Sequence, residues 1–279
     1  MSADELSEYP LGNTPAEDDR LAWQAARFDP LTEKFFRAAG VRTGQRILEL
    51  GSGAGHVAML VSRIVGPNGE VVGVERDAGS IARARVRVAD AGLRNVSFTQ
   101  SDVNDIPRGD PFDAAVGRFI LMFLEDPVPV VRSLSRLVRP GGVIAFQEVS
   151  WAAFLARCSQ LPLCFTITSL VHETFQRTGA DTEMGPALPS VFRDAGLTAP
   201  LMSSTMLLGN AKDLATWLVD LFHIMRPQFE HAGLSLSKLG DVVTFPARLL
   251  SELESSDGTI GGPDLVGAWS TSPPDISVS

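Results

Sequence analysis

A chain of 279 residues exceeds the usual length of a single domain, so one large domain or a core with a cap accommodates it. Hydrophobic residues at 44% and charged residues at 20% suit a globular chain that buries a core. The net charge of −9 argues against a nucleic-acid partner, whose backbone calls for a basic face.

In chain order, the opening "MSADELSEYPLGNTPAEDDR" is acidic and lacks the apolar core of a secretion signal. Leu21–Ala39 carries apolar residues at helical spacing and ends at Gly40, a plausible C-cap. Arg46–Leu50 is a short apolar strand, followed by a glycine turn and a helix through about Val65. "GPNGE" is a turn and Val71–Glu75 a second strand. Ile81–Ala91 is a helix stopped by Gly92, and the arginines of "RARVRV" form its solvated side. "NVSFTQ" is a third strand, "FDAAVGRF" a fourth, Pro127–Val138 a helix, "RPGG" a turn and "VIAFQE" a fifth strand. Beyond them, Gln160–Thr178, Ala211–Phe229 and, despite Gly240 and Pro246, Leu236–Leu253 read as helices. "GPALPSVFRDAGL" is a shorter helix, and "TAPLMSSTMLLG" and "DLVGAWS" are strands that finish the sheet.

Strand and helix alternate with short connections from residue 46 to 148. That pattern implies an α/β fold: a Rossmann-like, doubly wound, mostly parallel sheet with helices on both faces, seven-stranded once the two later strands join. Residues 1–45 are expected to form an N-terminal helical lid, 46–150 the ligand-binding core, 151–270 the remaining strands with helical lid insertions, and 271–279 a flexible tail. No apolar run is long enough to span a bilayer. The two cysteines, Cys158 and Cys164, match no common zinc or iron–sulfur spacing and read as buried thiols in a reducing compartment. A cytoplasmic protein with no metal, membrane or nucleic-acid partner is expected; a homodimer is left open.

Between the first strand and its helix stand Gly51, Gly53 and Gly55. Glycine is costly in regular structure, so this turn needs to bring backbone close to something. In an open parallel sheet that place is the ligand crevice at the strands' C-terminal ends. A dinucleotide fingerprint wants G-x-G-x-x-G, and here His56 occupies the last glycine position, so that match is partial.

"ELGSGAG" instead resembles motif I of the class I S-adenosylmethionine-dependent methyltransferases. "VVGVERD", "SDVNDIP" and "FDAAVGRFILMFLEDPVPVVRSLSRLVRPGGVIAFQE" are similar, in order, to that family's later motifs, in the branch that methylates ubiquinone-like and other small molecules. The outer stretches "YPLGNTPAEDDRLAWQA" and "PDLVGAWS" look like bacterial members of that branch, so the likeness covers most of the chain. The resemblance implies S-adenosylmethionine as cofactor. Gly51 and Gly53 would let backbone approach its methionyl part, with Glu49 facing the ammonium. Glu75, at the end of the second strand, would accept hydrogen bonds from both ribose hydroxyls. Asp102 would accept from the adenine amine beside the backbone N–H of Val103. Arg118 would lie alongside through its backbone and Gln24 would close over the cofactor; Ser52, Gly55 and Arg76 complete the set. Structural alternatives stand beside these roles: Glu49 as a helix cap, Glu75 paired with Arg76, Asp102 as an N-cap, Arg118 in an ion pair.

Methyl transfer needs alignment and exclusion of water, and a general base only where the acceptor must lose a proton. Candidate bases are His172 and His223 on the lid helices, with Glu148 a further carboxylate to weigh; His56 and His231 are poorly placed. The chain lacks the Asn/Asp-Pro-Pro-aromatic tetrapeptide of amino-group methylation on nucleobases, a Pro-Cys nucleophile, the magnesium cluster of catechol-type enzymes, and the paired glutamates of arginine methyltransferases. Trp151, Phe154, Phe165, Phe175, Trp217, Phe222 and Met225 suit a small apolar acceptor, natural-product or quinone-like, although lid packing or a dimer contact gives the same composition. Rival readings are a nicotinamide-dependent oxidoreductase, a cofactor-binding scaffold that catalyses another reaction such as cyclisation, and a non-enzymatic interaction module.

Overall fold

The computed structural model describes residues 15–106, 109–256 and 261–273. The first fourteen residues of the acidic start and tail residues 274–279 lie outside them. Seven strands form one sheet in the order β3-β2-β1-β4-β5-β7-β6, where β1 is Arg46–Leu50, β2 Glu70–Glu75, β3 Val96–Gln100, β4 Phe112–Arg118, β5 Val138–Ser150, β6 Leu201–Leu208 and β7 Gly261–Thr271. β1 runs parallel to both β2 and β4, β2 to β3, and β4 to β5. The strand order reverses at β1/β4, which opens the ligand crevice of such a sheet at their carboxyl ends.

Local chemistry sets the helices. α2 (His56–Val65) starts straight from Gly55 in a left-handed conformation. α3 (Ala78–Asp90) starts where the Asp77 carboxylate accepts from Ser80 N at 2.7 Å. α4 (Pro127–Leu134) starts where Asp126 accepts from Val128 N at 3.0 Å. α1 (Pro15–Ala39) begins earlier than its periodicity suggests and tolerates Pro30 in its interior. α4 stops at Leu134, short of the expected Val138, and "RPGG" is no free turn. Residues 139–142 bulge out of β5, whose register on β4 jumps from Phe112↔Val138 to Ala114↔Val143, with Gly141 at φ +72°.

The residues group into two compact units. One contains Ala25–Glu148, Met184–Ser204 and the described residues from Val266. Its core packs α2, α3 and the second half of α1 on the sheet, with Phe36, Ile47, Leu60, Val71, Ile81 and Val116 all buried. Ser272 bonds back to Gly141 and Gly142 (3.0 and 2.7 Å), so the chain stays in register past Thr271, the first residue of the expected tail.

The other unit contains Val149–Glu183, Thr205–Leu265 and the described residues up to Gln24. It is built on α5 (Ala152–Cys158), α6 (Pro162–Arg177), α8 (Ala211–His231) and α9 (Phe245–Glu254). α5 was not anticipated, and α6 starts at Pro162 rather than Gln160 because proline suits a first turn. The expected helix Leu236–Leu253 is broken: a 3-10 turn at Ser237–Leu239 ends on left-handed Gly240, and Pro246 lies in the first turn of α9. α7 (Met184–Asp194) belongs to the sheet unit. No helix among the described residues is long and apolar enough to cross a membrane.

Candidate functional site

The site lies at the carboxyl end of β1, in the sheet unit. Glu49 is 1% exposed, and its Oε2, like the neighbouring Ser52 Oγ, is buried without a hydrogen-bond partner. Burial pushes the Glu49 pKa up to about 8; the nearby Ser52 hydroxyl and Arg118 favour its charged form and Glu75 opposes it. The Ser52 hydroxyl is thus close enough to matter electrostatically while falling short of a formed bond. Glu49 caps no helix.

The three glycines have different duties. Ser52 N bonds to Val74 O (3.0 Å) and Gly55 N to Ser52 O (2.8 Å), which pins the turn to β2. Arg87 of α3 donates to the Ala54 carbonyl, so this arginine of the supposedly solvated face holds the turn from behind. A Cβ on Gly51 (φ +66°) would strike the Ile120 side chain at 2.5 Å, and one on Gly55 (φ +84°) would meet Ala84 at 3.0 Å. Only on Gly53 (φ +48°), of the three, would a Cβ find no atom within 4 Å. The space at Gly51 is therefore filled by protein, and open approach is confined to Gly53.

Gly53 N also donates to Glu75 Oε2 (2.8 Å), while Asp77 N donates to Oε1 (3.0 Å). Two backbone donors fix the Glu75 carboxylate; a carboxylate has about four acceptor positions, so capacity is left over. Arg76 is exposed. Ser101 N bonds to Glu75 O (3.1 Å) and carries the next loop off β2. There Asp102 Oδ1 accepts from Asn104 N (2.8 Å) and Nδ2 (2.7 Å), closing an Asx turn with no helix behind it. Val103 stands half-buried in that turn.

Arg118, at the end of β4, has a side chain only 5% exposed; it pairs with Asp29 of α1 (3.1 Å) and donates to Thr32 Oγ1 (3.0 Å). Thr32 in turn donates to Gln147 Oε1 (2.7 Å). Burial pulls the Arg118 pKa down and the Asp29 charge raises it back. The next residue, Phe119, is the one non-glycine at positive φ (+55°) among the described residues. Glu148 Oε1 accepts from Ile120 N (3.0 Å) and Leu121 N (2.9 Å), which sets the loop whose Ile120 covers Gly51. Glu148 is thus a cap for that loop, and its fully buried carboxyl is no candidate base. Sequence reasoning missed Asp29, Thr32 and Gln147; the i, i+3 pair Asp29/Thr32 on a predicted helix was the one readable signal.

Gln24 lies on α1, in the stretch that belongs to the helical unit. Within that unit, Trp151 stacks on Trp217 (6.3 Å, 27°) and touches Phe154, Phe175 and His172. The Trp217 Nε1 is buried without a partner. His172 is half-buried, and burial lowers its pKa against the opposing pull of Glu183 and Glu173. His223 is exposed with its ring against Phe222. Phe222 packs with Phe229 and Phe245 and Met225 is fully buried, so these form the unit's own core, and Phe165 is 42% exposed. The aromatic set therefore divides, with the half-buried His172 against the Trp151 cluster and the exposed His223 at the edge of the Phe222 cluster.

In the sheet unit, the open face at Gly53, the orphaned Glu49 Oε2 and Ser52 Oγ, and the pre-fixed Glu75 carboxylate fit a ligand that offers a cationic donor and a diol. S-adenosylmethionine has both. Comparison with known proteins agrees in kind. The methyltransferase-domain family matches residues 42–185. Over 112 residues the chain is 37% identical to the ubiquinone/menaquinone biosynthesis C-methyltransferase UbiE of Coxiella burnetii, covering 39% of this chain and 45% of that protein. The chain thus matches less than half the length of such curated relatives. Among solved structures, the YcgJ protein of Bacillus subtilis (TM-score 0.55, 16% identity, 88% of this chain and 97% of that one) shares the fold. So does the cyclase SpnF (TM-score 0.54, 21% identity, 88% and 82%).

Proposed function

The chain belongs to the methyltransferase-domain family, and from that premise we propose that it transfers the methyl group of S-adenosylmethionine to a small, largely apolar acceptor. The observation that carries the reading is the conjunction at β1 and β2: an open Gly53, a Glu75 carboxylate fixed by two backbone N–H groups, and a buried unpaired Glu49 oxygen. The cofactor, when bound, supplies an electrophilic methyl group on a sulfonium. Glu49 and Ser52 face its amino-acid end, Glu75 accepts from its ribose hydroxyls, and Asp102 with the Val103 N–H receives adenine. Gly51, Gly55 and Arg118 act behind them by holding the turn and the β4 loop in shape.

The Trp151 cluster supports an apolar, aromatic-sized acceptor, and the unpaired Trp217 Nε1 offers one hydrogen bond to a polar group on it. His172 lies against that cluster, and burial keeps it neutral near pH 7, the form that accepts a proton. The test is calorimetry with S-adenosylhomocysteine and with NAD, followed by incubation of S-adenosylmethionine with a panel of phenols, quinols and terpenoid alcohols. Uptake of the nucleoside alone, and S-adenosylhomocysteine formed in equal amount with methylated product, is expected. Binding of NAD instead, or product without S-adenosylhomocysteine, overturns the reading.

A further inference from the structure

Cys158 is the last residue of α5, and Cys164 stands in the first turn of α6. The connection between them folds tightly, with Leu161 N bonded to Cys158 O (2.8 Å) and Phe165 N to Leu161 O (2.7 Å). From α9, Glu252 accepts from Leu163 N (2.9 Å) and Cys164 N (2.8 Å), which holds the start of α6. The outcome is a sulfur–sulfur distance of 3.0 Å between two free thiols, each with no exposed surface. Spacing alone pointed to two inert buried thiols; it did not show that they share one contact.

We propose that Cys158 and Cys164 are a redox-active pair that closes to an intramolecular disulfide under peroxide and reopens with a dithiol reductant. The balanced step is a two-electron oxidation. The Cys158 thiolate displaces hydroxide from hydrogen peroxide to give a sulfenic acid, and one water forms once a proton is taken up. Cys164 sulfur then attacks Cys158 sulfur, its proton leaves with the hydroxyl as a second water, and the S–S bond forms. Geometry needs little change, because the sulfurs are already in contact, the connection between the helices is tight and Glu252 holds the start of α6. Ser159 and Gln160, in the connection between the two cysteines, are exposed, and local opening of that short turn admits a small oxidant.

The order of attack follows from the surroundings. In the contact between the sulfurs, where either thiol can donate, the Cys158 pKa is drawn down, with the Arg157 charge helping, and the same contact and burial push Cys164 up. Cys158 is then the thiol that meets peroxide and Cys164 the one that resolves it. Closure would tie α5 to α6 one turn beyond Phe154, which touches both Trp151 and Trp217. In a reducing compartment the resting state is the dithiol, and the disulfide is transient.

The test is to expose the folded, reduced full-length chain to hydrogen peroxide, quench with acid, unfold with a thiol alkylator and weigh it. The expected product has lost two hydrogens, takes up no alkylator, runs as a single chain and regains both thiols with dithiothreitol. Two alkylated cysteines after prolonged exposure, a cross-linked dimer, or overoxidation to sulfinic acid without a disulfide each overturn the proposal. Cys164→Ser should leave a dimedone-trapped sulfenic acid at Cys158, and Cys158→Ser should consume peroxide at least about tenfold more slowly. Trapping on Cys164 instead overturns the assigned order.

Discussion

Glu49→Gln tests a buried carboxyl that faces a cationic ligand through two readouts, the response of stability to pH and the proton released on ligand uptake. The Glu49 pKa rises from 4.5 to about 8 in the fold. At about 1.4 kcal/mol per unit, the folded chain therefore holds that proton about 5 kcal/mol more tightly than the unfolded chain does. The sign follows from the direction of the shift. The contribution to stability is whole below the unfolded value of 4.5 and is lost as pH climbs through the folded value near 8. Glutamine keeps the shape and cannot titrate. Urea unfolding of both proteins at several pH values between about 5 and 9 should show the variant gaining on the wild type, by up to about 1.4 kcal/mol per pH unit, and levelling off above the folded pKa. In the wild type near neutral pH, uptake of S-adenosylhomocysteine should release about one proton, read as a buffer-dependent binding enthalpy, because the ligand ammonium stabilises the carboxylate. The variant should release none from this position and bind more weakly. Parallel stability curves for the two proteins, or the same proton release from both, would refute the reasoning.

Gly53→Ala should cost only about 1–2 kcal/mol of stability, the strain of its left-handed backbone, yet lower affinity for S-adenosylhomocysteine at least about tenfold. Gly51→Ala adds a collision with Ile120 to similar strain, so denaturant unfolding should show a loss of about 2–4 kcal/mol. If Gly53→Ala leaves affinity unchanged, the open space at Gly53 is not a ligand surface. Glu75→Gln should weaken cofactor binding by about 1–3 kcal/mol with helicity intact, as judged by calorimetry and circular dichroism. Glu148→Ala leaves one buried and one half-buried N–H group without their acceptor and should cost about 2–4 kcal/mol of stability, with Glu148→Gln recovering part of it.

The sheet half was legible because its signals are local. Apolar runs bounded by glycine, aspartate caps at Asp77 and Asp126, and the glycine turn each act within a few residues, and the structure places β1–β4 and α2–α4 within a few residues of those signals. What failed was long-range. The bulge in β5 is set by how Val143, rather than Pro140, comes to pair opposite Ala114 of β4, and no window around "RPGG" contains that partner. Arg118 read equally as a site residue or an ion-pair partner because Asp29 lies far back on α1. The same distance concealed Glu252 at the start of α6, and with it the contact between the cysteines. The lid residues misled for a different reason: composition does not distinguish an aromatic that lines a pocket from Phe222, which is wholly buried in its own unit's core.

The balance of charge around the glycine turn also decides between the two cofactors that such a sheet can take. Glu49 and Glu75 both sit at the carboxyl ends of their strands, and of the cations placed near the turn Arg118 is already paired with Asp29 and Arg87 is bonded to the Ala54 carbonyl. An anionic pyrophosphate laid on this turn would face Glu49 with no free cation from Arg118 to offset it. Like charges about 4 Å apart in a partly buried site repel by about 4 kcal/mol, so such a ligand would hold Glu49 in the protonated form that its raised pKa already favours near neutral pH and would release no proton from it. A ligand with an ammonium and a sulfonium reverses that sign: its charge favours ionised Glu49 and recovers part of the desolvation that raised the pKa. A dinucleotide gains as much from Glu75 through its ribose, so Glu75 does not discriminate. The residue that tells the two apart is Glu49, the buried acid just ahead of the glycines: a cationic ligand draws its proton off, and an anionic one leaves the proton in place.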